Sequence, residues 1–210
     1  MTEHCSCCGT VTESQTESAG RNLTAENPLQ AELPAEMSAT LGQFLGRESV
    51  TTFDEWAAEI RQTVGGSIAV EDLCSTEERT AHWAVRDGER QYFLCFYDAV
   101  ILAALSEQSV EIHTKSPGGT VIEARAVGTD TLEVTPKEAV FSLGVEENAA
   151  NLVDGNPTLE DAYGAVCPYV KAFPNADSYR EWAEAVPAAT IGLELDGATE
   201  FAAALLEDVQ

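Results

Sequence analysis

The stretch FLCFYDAVILAAL, residues 93–105, constrains this chain more than any other. It carries a single acidic side chain in an otherwise apolar run, and a run of that character has to be buried. It is too short for a membrane span, which needs about 20 apolar residues. Just before it, TAHWAVRDGERQYF has strand-like composition with Asp87-Gly88 in its middle, a hairpin turn signal. The hairpin runs straight into AVILAAL, which reads as a short buried helix with Asp98 near its N-terminus.

The rest of the chain extends this pattern. SVEIHTKSPGGTVIEARAV predicts a second hairpin turning at Pro117-Gly118-Gly119, and TLEVTP and AVFSLGV predict further strands. ADSYREWAEAV and ATEFAAALLEDV are amphipathic helices with the strand TIGLEL between them. Upstream, Leu33, Met37, Leu41, Phe44 and Leu45 recur at helical spacing. Thr52 and Glu55 form a capping box ahead of the apolar stripe Phe53, Trp56, Ala57, Ile60 and Val64, and Gly65-Gly66 ends that helix. Residues 1–33 have almost no apolar periodicity and read as a mobile tail. The expected organisation is a flexible tail over 1–33, a small helical subdomain over 34–78 and an α+β domain over 79–210.

Charge narrows the function. The chain has 36 acidic and 11 basic residues, a formal net charge of −25. Phosphate contacts require Lys and Arg, so this excess argues against nucleic acid and anionic membrane surfaces as partners. The acids are scattered, as on halophilic proteins, whose self-repulsion is screened at high salt. No basic start or apolar stretch opens the chain, so no secretory leader is expected and the predicted location is cytoplasmic. In that compartment six cysteines suggest thiol or metal chemistry rather than disulfides.

Cys95, Asp98 and Cys167 carry the candidate chemistry. If Cys95 ends a strand and Asp98 begins the helix, both side chains can face one cavity. A carboxyl in an apolar pocket holds its proton to higher pH, because desolvation disfavours the charged form. It can then donate that proton near neutrality. Thiolates favour soft metals, so two thiols and one carboxyl suit a soft metal plus one proton transfer. The plainer alternatives are that Cys95 and Cys167 are small core hydrophobes and that Asp98 caps a helix. Phe96 and Tyr97 are candidates for a pocket wall or for core packing. Cys74 reads as structural, and His82 and His113 as packing or surface residues. At the N-terminus, Cys5, Cys7 and Cys8 with His4 form a candidate soft-ion capture site, too crowded for the usual structural zinc spacing.

The segment LCFYDAVILAAL, followed by a second cysteine in AVCPYVKAFPNADSYREWA, resembles the alkylmercury lyase (organomercurial lyase) family. HWAVRDGERQYF is similar to that family's strand pair, and REWAEAVPAATIGLELDGATEFAAALL to its C-terminal end, so the likeness spans about residues 68–207. The resemblance implies an α+β fold, with a winged-helix-like N-terminal helical part before a mixed, mostly antiparallel sheet. It implies protonolysis of a carbon–mercury bond to a hydrocarbon and Hg(II), as in mercury detoxification. Cys95 and Cys167 would hold mercury as thiolates, and Asp98 would deliver the proton and then help hold Hg(II). No organic cofactor is implied: Hg(II) is substrate and product, and external thiols or a mercuric reductase would take it away. The alternative is a soft-metal protein of the same fold, binding Hg(II) or Cu(I) without catalysis. Two positions depart from the family pattern: Pro168 stands where a second cysteine follows the distal one, and Thr114 where a strand cysteine lies.

Overall fold

A computed structural model describes residues 22–23, 28–130, 132–152 and 157–207. In chain order the elements are β1 (Asn22–Leu23), α1 (Ala35–Phe44), α2 (Phe53–Val64), β2 (Ser75–Thr76), β3 (His82–Arg86), β4 (Glu89–Phe93), α3 (Tyr97–Ala104), β5 (Val110–Lys115), β6 (Val121–Ala126), β7 (Leu132–Thr135), β8 (Val140–Glu146), α4 (Leu159–Ala165), β9 (Ala172–Phe173), α5 (Ala176–Ala183), β10 (Ala188–Glu194) and α6 (Ala198–Leu206). The fold is α+β with two sheets. One is six-stranded and wholly antiparallel, in the order β2-β4-β3-β5-β6-β7. The other has the order β1-β10-β8-β9, antiparallel except where β1 joins β10.

The hairpin β3–β4 turns where its sequence demands it. Asp87 and Gly88 both take positive φ, 55° and 79°, the backbone of a two-residue turn that matches strand twist. Register then places Trp83 opposite Tyr92 and His82 opposite Phe93. After Phe93 the chain leaves the ladder, and α3 follows at once. That helix is buried from Tyr97 through Ala103, as an apolar surface on every side requires. It packs against β3, β5 and β6 on one side and α6 on the other.

The N-terminal helices share this core. In α2, Phe53 meets Phe201 of α6 edge-on at a ring separation of 5.9 Å and Trp56 meets it tilted at 5.7 Å, and Phe201 meets Tyr97 at 6.0 Å. The start of α2 is capped as expected, since the Thr52 hydroxyl accepts the Glu55 N–H at 3.2 Å. The reciprocal arm differs. The Glu55 carboxylate reaches the N–H and hydroxyl of Thr51, at 2.6 and 2.8 Å, instead of Thr52. Gly65 follows in the left-handed conformation, φ 82°, and closes the helix. SIAVEDL contributes only a 3-10 turn, Val70–Asp72.

The reading of residues 1–33 as a tail needs correction at its end. Asn22–Leu23 pairs with β10, Pro28–Gln30 forms a 3-10 turn, and Leu33 is buried among the core side chains. These short pieces lack periodicity because sheet and core contacts, not an amphipathic helix, hold them. No helix among the described residues is long and apolar enough to cross a membrane.

The 3-10 turn Cys167–Tyr169 is clamped to β8. The Ser142 hydroxyl donates to the Tyr169 carbonyl at 2.7 Å and accepts the Lys171 N–H at 3.1 Å. Gly144 allows this approach, because a Cβ there would lie 2.9 Å from the Tyr169 Cβ and 2.8 Å from the Thr190 Cγ2. Gly144→Ala should therefore destabilise the fold by about 1–3 kcal/mol, the usual cost of overpacking. A thermal melt checks this, and an unchanged melting temperature would refute so tight a seat.

Candidate functional site

Cys95 sits where β4 hands over to α3, and its burial follows from that junction. Leu94 points out, 64% exposed, while Cys95 is 3% exposed. The Cys95 thiol faces the Val170 carbonyl at 4.0 Å, which ties it to the segment just after Cys167. Asp98 lies in the first turn of α3 and is buried, though the cap position belongs to Phe96 and not to Asp98. Cys167 enters from the far side, at the start of the clamped 3-10 turn behind α4. Helix α4 starts with a reciprocal cap: the Thr158 hydroxyl accepts the Asp161 N–H at 3.2 Å, and the Asp161 carboxylate accepts the Thr158 N–H at 2.8 Å.

These three side chains line one cavity of about 110 Å³. Its wall is overwhelmingly apolar, with Trp56 and Ile60 from α2, Leu143 from β8 and Phe201 from α6. Tyr97 lines it too, held by its hydroxyl, which donates to the Ala198 carbonyl at 2.6 Å. Phe96 instead packs into the core, edge-on to Phe141 at 6.3 Å. Two stretches 72 positions apart in sequence thus meet in one apolar pocket.

The electrostatics follow from burial. Burial pushes the Asp98 carboxyl up to about 7, against smaller opposing contributions from the Cys74 backbone N–H and its own. The first turn of a helix favours negative charge, yet desolvation outweighs that field here. One carboxyl oxygen, Oδ2, is buried with no hydrogen-bond partner among the described residues. The Cys167 thiol is held well above the ordinary thiol range, first by side-chain hydrogen bonding to Cys74, then by the same contact with Cys95 and by burial. Cys74 is held below its ordinary value by the hydrogen bond from Cys167.

Two neighbours were not legible as site residues. Cys74 read as structural, yet hydrogen bonding with the Cys167 side chain is what holds its thiol below the ordinary value. Tyr163 lines the cavity and donates its hydroxyl to the Asp72 carbonyl, tying α4 to the chain next to Cys74. Neither has a local motif: Cys74 reaches the site through the pairing of β2 with β4, a long-range contact without sequence periodicity. Among the described residues, no group of three or more His, Cys, Asp or Glu side chains is arranged to hold one metal ion. Cys5, Cys7 and Cys8 lie outside the described residues.

His82 and His113 pack against strand neighbours. His82 Nδ1 meets the Thr114 hydroxyl at 2.6 Å, and burial followed by the charge of Lys171 lowers its pKa to about 4. His113 stacks on Trp83 with ring centroids 4.4 Å apart.

Residues 75–207 match the alkylmercury lyase (MerB) family. The chain belongs to the alkylmercury lyase family. That matched span contains Cys95, Asp98 and Cys167, and it begins one residue after Cys74. A search of curated proteins finds no match. Among solved structures, the mercury-bound crystal form of MerB2 is similar at a TM-score of 0.47 and 15% identity, covering 82% of this chain and 91% of that one.

Proposed function

We propose that this member of the alkylmercury lyase family cleaves the carbon–mercury bond of small organomercurials by protonolysis, releasing a hydrocarbon and Hg(II). The observation that carries the reading is the meeting of Cys95, Asp98 and Cys167 in one apolar cavity. Family membership supports the reaction class.

The chemistry balances with these three groups. A thiol of the site displaces the outer ligand of the incoming organomercurial and forms a first sulfur–mercury bond, its proton leaving with that ligand. The second thiol adds to mercury and passes its proton to the Asp98 carboxyl as that carboxyl releases its own. Two soft sulfur donors raise the electron density on the mercury-bound carbon. Asp98, neutral because its pocket is dry, gives its proton to that carbon as the carbon–mercury bond breaks. The proton lost by the second thiol restores Asp98. The products are the hydrocarbon and Hg(II) held by two thiolates, with no change of oxidation state. The Asp98 Oδ2 provides an oxygen that no group among the described residues already occupies. No organic cofactor takes part, and external thiols remove the product.

The cavity also sets a size preference. Its 110 Å³ is below the ~150 Å³ of an apolar cavity that accepts benzene. Methyl and ethyl groups should therefore be cleaved with higher kcat/KM than phenyl.

The test is direct. The purified full chain is incubated with methylmercury and excess thiol in molar salt, and headspace methane is measured by gas chromatography. Methane above the thiol-only control is expected. Its absence, with protein shown to be folded, overturns the lyase reading.

A further inference from the structure

We infer that the outer face of the six-stranded sheet is a dimer interface: a second copy of this chain packs on it, about a two-fold axis that runs along the β5–β6 pair. The inference is independent of the lyase reading, since the cavity of Cys95 and Asp98 lies with α3 on the other side of the sheet.

Strand alternation sets out the two faces. Ala84, Ile112 and Ile122 are buried on the side where α3 packs. Their neighbours in sequence point the other way, and there Glu111, Lys115, Val121, Glu123 and Arg125 are exposed. The large apolar side chains exposed among the described residues are Leu94, Val121 and Val127. Val121 lies on this outer face, and Leu94 and Val127 continue its alternation directly after β4 and β6. Exposed apolar groups gathered on one face mark an interaction surface.

The centre of the face is already ordered. The Arg90 guanidinium lies 4.0 Å over the Trp83 ring, and Trp83 stacks on His113 at 4.4 Å with 11° between the planes. Trp and Arg are enriched among the side chains that carry the binding energy of interfaces. Side chains held in a stack also lose little rotamer freedom when a partner arrives.

Charge selects the partner. The outward positions of β3 to β7 hold three cations, Arg90, Lys115 and Arg125, and three anions, Glu111, Glu123 and Glu133. This face is therefore neutral on a chain of net charge −25, whose acidic excess elsewhere repels a second copy. The signs are also self-complementary. In the ladder Glu111 stands opposite Arg125, His113 opposite Glu123 and Lys115 opposite Val121. A two-fold axis between β5 and β6 exchanges the two strands and preserves position along them. It sets Glu111 over Arg125 of the second copy, and Arg125 over Glu111 of the second copy, so the opposite-charge pair forms twice, as an isologous interface requires. Twisted sheets packed face to face cross at about 30°, and these pairs lie next to the axis, where the crossing displaces them least.

Sedimentation velocity on the full chain tests this, at the lowest salt that keeps it folded by circular dichroism, since screening shortens the reach of the paired charges. Wild type should be a dimer at micromolar concentration, and a monomer there would overturn the inference. Arg125→Glu and Glu111→Arg each place like charges over one another twice, and each should raise the dimer dissociation constant about tenfold or more. An equimolar mixture of the two variants restores both opposite-charge pairs between unlike chains, so it should dimerise with about the wild-type constant. Complementation between chains separates an interface from the cross-strand pair of Glu111 with Arg125 inside one chain, which mixing cannot repair. A mixture no tighter than its components, or variants as dimeric as wild type, would refute the two-fold packing on this face. Should either variant fail to fold, Val121→Lys decides. It sets a cation over Lys115 of the second copy and should weaken the dimer about tenfold; an unchanged constant would sink the inference.

Discussion

Asp98→Asn should lower methane release from methylmercury by about 10²–10⁴-fold, the range supplied by a positioned general acid, while mercury still binds Cys95 and Cys167. Asparagine keeps the shape of the side chain but has no proton to give. The wild-type pH profile should bear the same mark. With the carboxyl at about 7, the proton-bearing form dominates below neutrality and is lost above it. Turnover should fall as pH rises through that value. A rate that climbs steadily from pH 6 to 9 would refute the donor role.

The same group makes a separate statement about stability. Its folded pKa is raised from 3.8 to about 7, so folding favours the protonated form. The stabilisation is complete below the unfolded value near 4 and is lost as pH rises through 7. At pH 8 the native state bears a dehydrated carboxylate that costs about 4 kcal/mol relative to the unfolded chain, on the scale of 1.36 kcal/mol per pKa unit. Asp98→Asn should therefore gain stability relative to wild type between pH 4 and pH 8, read by urea titration. A difference independent of pH would mean that Asp98 is hydrated in solution. A site that needs a neutral acid thus accepts a weaker fold above neutrality.

Much of this was legible because local chemistry agreed with the fold. Asp87-Gly88 could only be a tight turn, and the apolar run behind it could only be buried, so the Cys95–Asp98 junction followed from a short piece of chain. Cys167 was harder. Its proximity to Cys95 depends on Ser142 and Gly144 of β8 seating the 3-10 turn, and neither residue has a local pattern that announces such a role. The chemistry of two thiols and a carboxyl suggested that the two cysteines belong together, and the family resemblance gave them an order along the chain, but nothing local in the sequence brings them into one place. Cys74 lies at the far limit: a two-residue strand leaves no periodicity, and only the finished ladder sets it across from Leu94. The short pieces before α1 were missed for the same reason, since Asn22–Leu23 is held by β10 and not by its own sequence.

Cys167→Ser should be the most damaging single change, lowering turnover on the order of a thousandfold or more, as loss of a group that bonds the reacting atom does. Cys95→Ser should be almost as severe, because either change leaves a single one of the two cavity thiols. Equilibrium dialysis in the chain lacking Cys5, Cys7 and Cys8 should show Hg(II) held far more weakly by Cys95→Ser and by Cys167→Ser than by their parent. Undiminished retention in either variant would mean that the two thiols do not share one ion. Serine preserves the volume of the side chain closely enough that the clamp of Ser142 on the Tyr169 carbonyl should survive in Cys167→Ser, and matching melting temperatures would assign the lost activity to sulfur instead of to a shifted turn.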